Sequence, residues 1–93
     1  MSYQGPGIYR HYKGHDYLVL GLGVEEATFI PVVIYRPHKQ AMPDDVREKS
    51  GINPTYWTRP LTDFNAMVPA SKFPPDFIAR FIFVSGPPMS DLP

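Results

Sequence analysis

Apolar and polar residues begin to alternate at Ile8. From Ile8 to Tyr12 the period of two predicts a strand, with Ile8, Arg10 and Tyr12 on one face and Tyr9 and His11 on the other. Because Ile8 takes the inward face, Tyr9 and His11 are expected to be exposed or partly exposed. Lys13-Gly14-His15-Asp16 then reads as a tight turn in which Gly14 supplies a positive φ. Tyr17 to Gly23 predicts a second strand. Leu18, Leu20 and Leu22 line one of its faces, and Tyr17, Val19, Gly21 and Gly23 the other. Glycine inside a strand marks a bulge or a close approach. After the polar connection Glu25 to Thr28, Phe29 to Arg36 is the most apolar strand. Val32, Val33 and Ile34 in succession predict burial on both faces, and Pro31 belongs near the strand start or on an edge.

Pro37 ends that pattern. Pro43 to Gly51 predicts a two-turn helix, with proline and acids at its start, lysine near its end and glycine just past it. Its polarity makes it a surface excursion. Tyr56 to Leu61 is extended again. Thr62 to Asn65 reads as a helical turn opened by the Thr62 hydroxyl, with Phe64 and Met67 on one side. Pro69 to Asp76 reads as a loop and Phe77 to Val84 as a last strand. Order is expected from Ile8 onward. Five short strands and a helical insertion predict an all-β fold, a small partly open SH3-like barrel, with an OB-type barrel as the alternative. Residues 5–85 form the single domain and residues 86–93 a Pro-rich flexible tail.

Composition supports short strands joined by stiff turns. The 93 residues include 12 prolines, each of which would cost about 3 kcal/mol inside a helix. A chain of this length has a small core, and six Tyr, six Phe and one Trp must supply much of the burial. The absence of cysteine excludes disulfides, thiolate metal sites and a Cys nucleophile. A formal net charge of zero argues against a partner chosen by bulk electrostatics, such as duplex DNA or an anionic membrane. The first six residues hold no apolar stretch that could serve as a signal peptide, and the expectation is a cytoplasmic protein.

Gly7-Ile8-Tyr9-Arg10-His11-Tyr12-Lys13-Gly14 and Trp57-Thr58-Arg59-Pro60-Leu61-Thr62-Asp63-Phe64 resemble the DUF1653 family, small bacterial proteins of unknown function. Tyr17 to Gly21, Val33 to Arg36 and Ala79-Arg80-Phe81 resemble it as well, so the similarity spans roughly residues 5 to 84. The chain departs from the family pattern in two places. Pro37 to Thr55 is longer than the family's link, and Glu26-Ala27-Thr28 replaces its Ser-Glu-Thr stretch. The resemblance implies no activity, so function rests on the residues themselves.

The strongest constellation is aromatic and cationic: Tyr9, His11, Lys13, Tyr35, Arg36, Trp57 and Arg59. Rigid rings and a planar guanidinium are what interaction surfaces are built from. Tyr9, His11, Lys13, Tyr35, Trp57 and Arg59 are therefore the candidate ligand-binding residues of a non-catalytic module. Its partner would be a peptide, a protein or a small molecule. Single-stranded nucleic acid is the alternative, since the same groups stack unpaired bases. Trp57 and Tyr12 also suit the core, with Arg59 covering a ring. A small enzyme would need His11 beside Asp16 or Asp63. No serine sits on a nucleophile elbow, Gly21-Leu22-Gly23 lacks the rest of a dinucleotide fingerprint, and the histidines lack a zinc-ligand pattern. No metal or other cofactor is expected. The insertion reads as a lid or as a tolerated loop expansion. The strand from Phe29 to Tyr35 could pair across a homodimer if it lay at a sheet edge.

Overall fold

The structure, a computed structural model, describes residues 3–52, 56–69 and 77–87. In chain order the elements are β1 (Gly7–His11), β2 (Asp16–Val24), β3 (Pro31–Pro37), α1 (Asp44–Ser50), β4 (Trp57–Pro60), α2 (Leu61–Phe64), β5 (Met67–Pro69), β6 (Phe77–Ala79) and β7 (Phe81–Ser85). Most of them are strands. One antiparallel sheet runs β4-β3-β2-β1-β7, and β5 with β6 forms a second of two strands. The helix over Asp44 to Ser50 buries none of its residues, in keeping with a polar surface excursion.

The β1–β2 hairpin follows its sequence. Gly14 has φ +98°, His11 N–H donates to His15 O at 2.8 Å, and Gly14 N–H donates to His11 O at 2.8 Å. Arg10 and Asp16 face each other across the ladder and form an ion pair at 2.8 Å. Further along β2 the expected faces change places. The register shifts between Val19 and Gly21, so Leu20 is the extra residue of a bulge. Val19 pairs with Tyr35 and Leu22 with Val33, which puts Leu22 on the face of Tyr17 and Val19 rather than that of Leu18. Gly21 and Gly23 correspondingly leave the Tyr17 face. Gly23 allows the close approach its type suggested, since a Cβ there would lie 3.0 Å from Ile34 Cδ1.

Other boundaries also move. β3 starts at Pro31, not Phe29. Phe29 has φ +59° and closes the β2–β3 connection, where its N–H donates to Glu25 O at 2.8 Å. Thr28 Oγ1 donates to Glu25 Oε1 at 2.7 Å and accepts from Ile30 N–H at 3.3 Å. Of the three successive residues Val32, Val33 and Ile34, Val33 is buried and the other two are half-buried. α2 begins at Leu61 behind Pro60 and has no side-chain cap, so Thr62 does not open it. Phe64 is buried while Met67 is exposed in β5. The expected last strand breaks at Arg80, whose N–H donates to Ala66 O at 3.1 Å instead of extending one ladder. β6 then pairs with β5, and β7 with β1. Pro69 belongs to β5, and the rest of the expected loop lies outside the described residues. So does the expected tail beyond Pro87.

β3 lies inside the sheet, between β2 and β4, and cannot offer an edge to a second copy. The edges are β4 and β7, with no ladder between them among the described residues, so the sheet does not close. Bulges at Leu20 and at the Ile8/Tyr9 step of the β1–β7 ladder curl it. On the concave side the core consists of Tyr9, Val19, Val33, Tyr35, Phe64 and Phe81. Phe64 and Phe81 stack at 4.2 Å and 6°, and Tyr9 meets Phe64 edge to face at 5.2 Å.

Burial of Tyr9 reverses the expected exposure: the ring is 0% exposed. Ile8 on the opposite face is buried too, so a buried Ile8 does not imply an exposed Tyr9. The Tyr9 hydroxyl is satisfied by accepting from Gln4 N–H and donating to Gly5 O, both at 2.7 Å. Order extends towards the N-terminus beyond Ile8. Tyr3 stacks on Tyr9 at 6.5 Å, and its N–H donates to Asn65 Oδ1 at 3.0 Å.

Candidate binding cleft

Strand pairing assembles the candidate residues. Tyr35 of β3 stands opposite Trp57 of β4, and Val33 opposite Arg59. Cross-strand partners share a face, so Tyr35, Trp57 and Arg59 all point to the concave side. Tyr17, opposite Pro37, joins them from β2. Pro37 closes β3 at the same space, Gln40, Ala41 and Pro43 follow it, the β1–β2 turn contributes His15, and α2 contributes Asp63. Together they border a cleft of about 560 Å³. That is within the range of roughly 300–1,000 Å³ typical of small-molecule sites.

Arg59 is half-buried and held in place. Its Nε–H donates to Tyr35 Oη at 3.1 Å, and its guanidinium carbon lies 5.7 Å from the Phe81 ring centroid. Tyr17 meets Tyr35 edge to face at 5.4 Å and Phe81 at 5.9 Å. Burial raises the pKa of the Tyr17 hydroxyl and the neighbouring Tyr35 adds to the rise, while Arg59 works against it. The phenol therefore stays protonated and able to donate. Trp57 is half-buried, packed against the core and bordering the cleft.

The structure divides the other candidates. His11 shares the concave face but lies behind Tyr17 and Phe81, with ring centroids at 6.2 Å and 5.0 Å, and does not border the cleft. It is half-buried, in line with the partial exposure expected of it. Lys13 is exposed in the hairpin turn, with its ammonium 5.8 Å from the Tyr12 ring. Tyr9 is enclosed in the core and has no ring surface to offer a ligand. Arg36 alternates to the convex face, opposite Leu18. Three of the candidates thus meet in one concavity, and Tyr17 and Asp63 complete it. Tyr17 was legible in principle, because the hairpin turn fixes its parity with Tyr9 and His11. Asp63 carried no such signal, since α2 reaches the cleft only through the packing of Phe64.

His11 Nδ1 accepts from Lys13 N–H at 3.2 Å, which leaves the ring hydrogen on Nε2. Its pKa is lowered from the ordinary 6.5, first by desolvation and then by Arg59, Arg80, Lys13 and His15. No hydrogen bond or ion pair joins it to a carboxylate among the described residues, and Asp16 is bound to Arg10. The unfolded chain binds more protons than the folded one just below pH 6.5. Stability is therefore intact above that value and is lost as the pH falls below it. Thermal midpoints measured between roughly pH 7.5 and 5.5 should decline on the acid side, and His11→Gln should flatten that decline. An unchanged slope in the variant would remove His11 as its cause.

A family model described as "Protein of unknown function (DUF1653)" matches residues 7–82, a span that contains every residue bordering the cleft. Among solved structures, the chain is similar to the crystal structure of a protein of that family from Bordetella bronchiseptica. The two are 30% identical with a TM-score of 0.68, over 89% of this chain and 90% of that one. No curated protein matches.

Proposed function

The chain belongs to the DUF1653 family, whose description names no activity, and from that starting point we propose a non-catalytic binding module with a small organic ligand seated in the cleft. The observation that carries this reading is the convergence of Tyr17, Tyr35, Trp57 and Arg59 on one concavity. Rigid rings and a clamped guanidinium lose little conformational freedom when a ligand arrives, so their contact area turns efficiently into affinity. The same reading takes the curled sheet as a partly open SH3-like barrel. The approach of Arg59 on edge strand β4 to Phe81 on edge strand β7 supports it.

Trp57 is the only tryptophan in the sequence and borders the cleft, so its indole reports occupancy without competing signals. In a survey of neutral, anionic and cationic fragments by protein NMR, binders should shift the Trp57 indole N–H together with Tyr17 and Tyr35 amides. Ile82 and Val84, exposed on β7, should stay in place. A survey in which no fragment shifts these resonances, or in which every binder maps elsewhere, rejects the reading.

A further inference from the structure

The wall of the cleft presents hydrogen-bond donors that have no acceptor among the described residues. Tyr35 Oη already accepts the Arg59 Nε–H, so its own hydrogen is left to donate. The Nη groups of Arg59 make no hydrogen bond or ion pair with the described residues, and neither does the Tyr17 hydroxyl. Three donor groups from adjacent strands β2, β3 and β4 thus face one space. Among the described residues Asp63 is the single acid bordering the cleft, and it is solvent-exposed. Trp57, Pro37, Pro43 and Pro60 give the lining flat apolar surface, beside the polar His15, Gln40 and Thr58.

We propose that the cleft binds a small monocarboxylate with a flat apolar body. The carboxylate sits on the Arg59 Nη groups and the Tyr17 and Tyr35 hydroxyls, and the body lies against Trp57 and the prolines. This inference rests on the reading of the cleft as a ligand site and adds the ligand's class. A carboxylate matches the planar fork of a guanidinium, and here that plane is fixed from one side by Tyr35 Oη and from another by the Phe81 ring. One arginine with an acid nearby balances a single negative charge better than two. The phenols add direction, because a neutral phenol donates to an anion at short range without bringing charge of its own.

The test titrates phenylacetate, phenylacetamide and phenethylamine into the full chain, following the Trp57 indole N–H by NMR and the heat of binding by calorimetry. Phenylacetate should bind roughly tenfold more tightly than the amide, the effect of a charge-assisted hydrogen bond. Added salt should narrow that gap. Arg59→Gln should abolish the preference. Tyr17→Phe keeps the ring that packs on Tyr35 and Phe81 and loses only the hydroxyl. It should weaken phenylacetate several-fold while leaving the amide unchanged, a readout that survives if Arg59→Gln fails to fold. Equal affinity for acid and amide, or preference for the amine, overturns the carboxylate assignment while leaving the cleft a binding site. Absence of phenylacetate binding overturns it too, and the fragment survey then decides separately on the cleft.

Discussion

Phe64→Ala is expected to lower the unfolding free energy by about 3–5 kcal/mol, the usual cost of truncating a fully buried phenylalanine. Small domains hold little in reserve, with typical totals of about 5–15 kcal/mol. The variant should therefore be partly unfolded at ambient temperature. Phe64 is 0% exposed and stands at the centre of the aromatic core. It stacks on Phe81 at 4.2 Å and meets Tyr9, Tyr35 and Tyr3 edge to face at 5.2, 6.2 and 6.2 Å. Those rings belong to β7, β1, β3 and the N-terminal segment, so one deletion loosens four parts of the chain. Phe64→Leu keeps much of the volume and should lose clearly less. Urea unfolding followed by far-ultraviolet circular dichroism measures both. An alanine variant as stable as the parent would show that α2 does not anchor the core. The cleft depends on the same anchor, because Asp63 precedes Phe64 and Tyr35 packs against it.

Gly7→Ala is the second large effect, on the order of 3 kcal/mol from steric overlap and backbone strain together. Gly7 has φ +156° at the start of β1, where a Cβ would land on the Ser85 carbonyl oxygen and 2.8 Å from Phe83 Cε1. The obstacle is partly backbone, which cannot swing aside as a flexible side chain can. The β1–β7 ladder should part at its Ile8↔Ser85 end, seen as faster hydrogen exchange of the β7 amides. Gly14→Ala is the informative comparison. Its φ is +98°, but nothing lies within 4 Å of the added carbon, so only backbone strain of about 1 kcal/mol is expected. Equal losses at the two sites would mean that steric contact with β7 is not what demands glycine at position 7.

Local chemistry is what a sequence carries most openly, and several elements here follow from it. Gly14 places the hairpin, Pro31 starts its strand, and the acids, lysine and glycine around Asp44 to Ser50 delimit a helix. The motifs around Tyr9 and Trp57 carried the family resemblance, and the match over residues 7–82 bears it out. The candidate cleft was partly legible. Tyr35, Trp57 and Arg59 were legible because ring and guanidinium types are informative wherever they stand. Tyr9 was misplaced by the assumption that one buried face leaves the other open, and Leu22 by a bulge at Leu20 that alternation cannot reveal. Arg80 broke a strand whose residues all suit extended structure, because its N–H met Ala66 O from a different element.

The sequence by itself therefore determined strands β1 to β4, the Gly14 turn, the helical insertion and the family, since each depends on residues near one another along the chain. Tertiary structure decided the strand order, the register beyond Leu20, the enclosure of Tyr9 and the placing of Tyr17 and Asp63 around one cleft. Those outcomes depend on which distant segments pack together. The space beside Arg59 exists because β4 pairs with β3 and α2 then folds Phe64 onto Phe81. No period or spacing within either segment encodes that meeting.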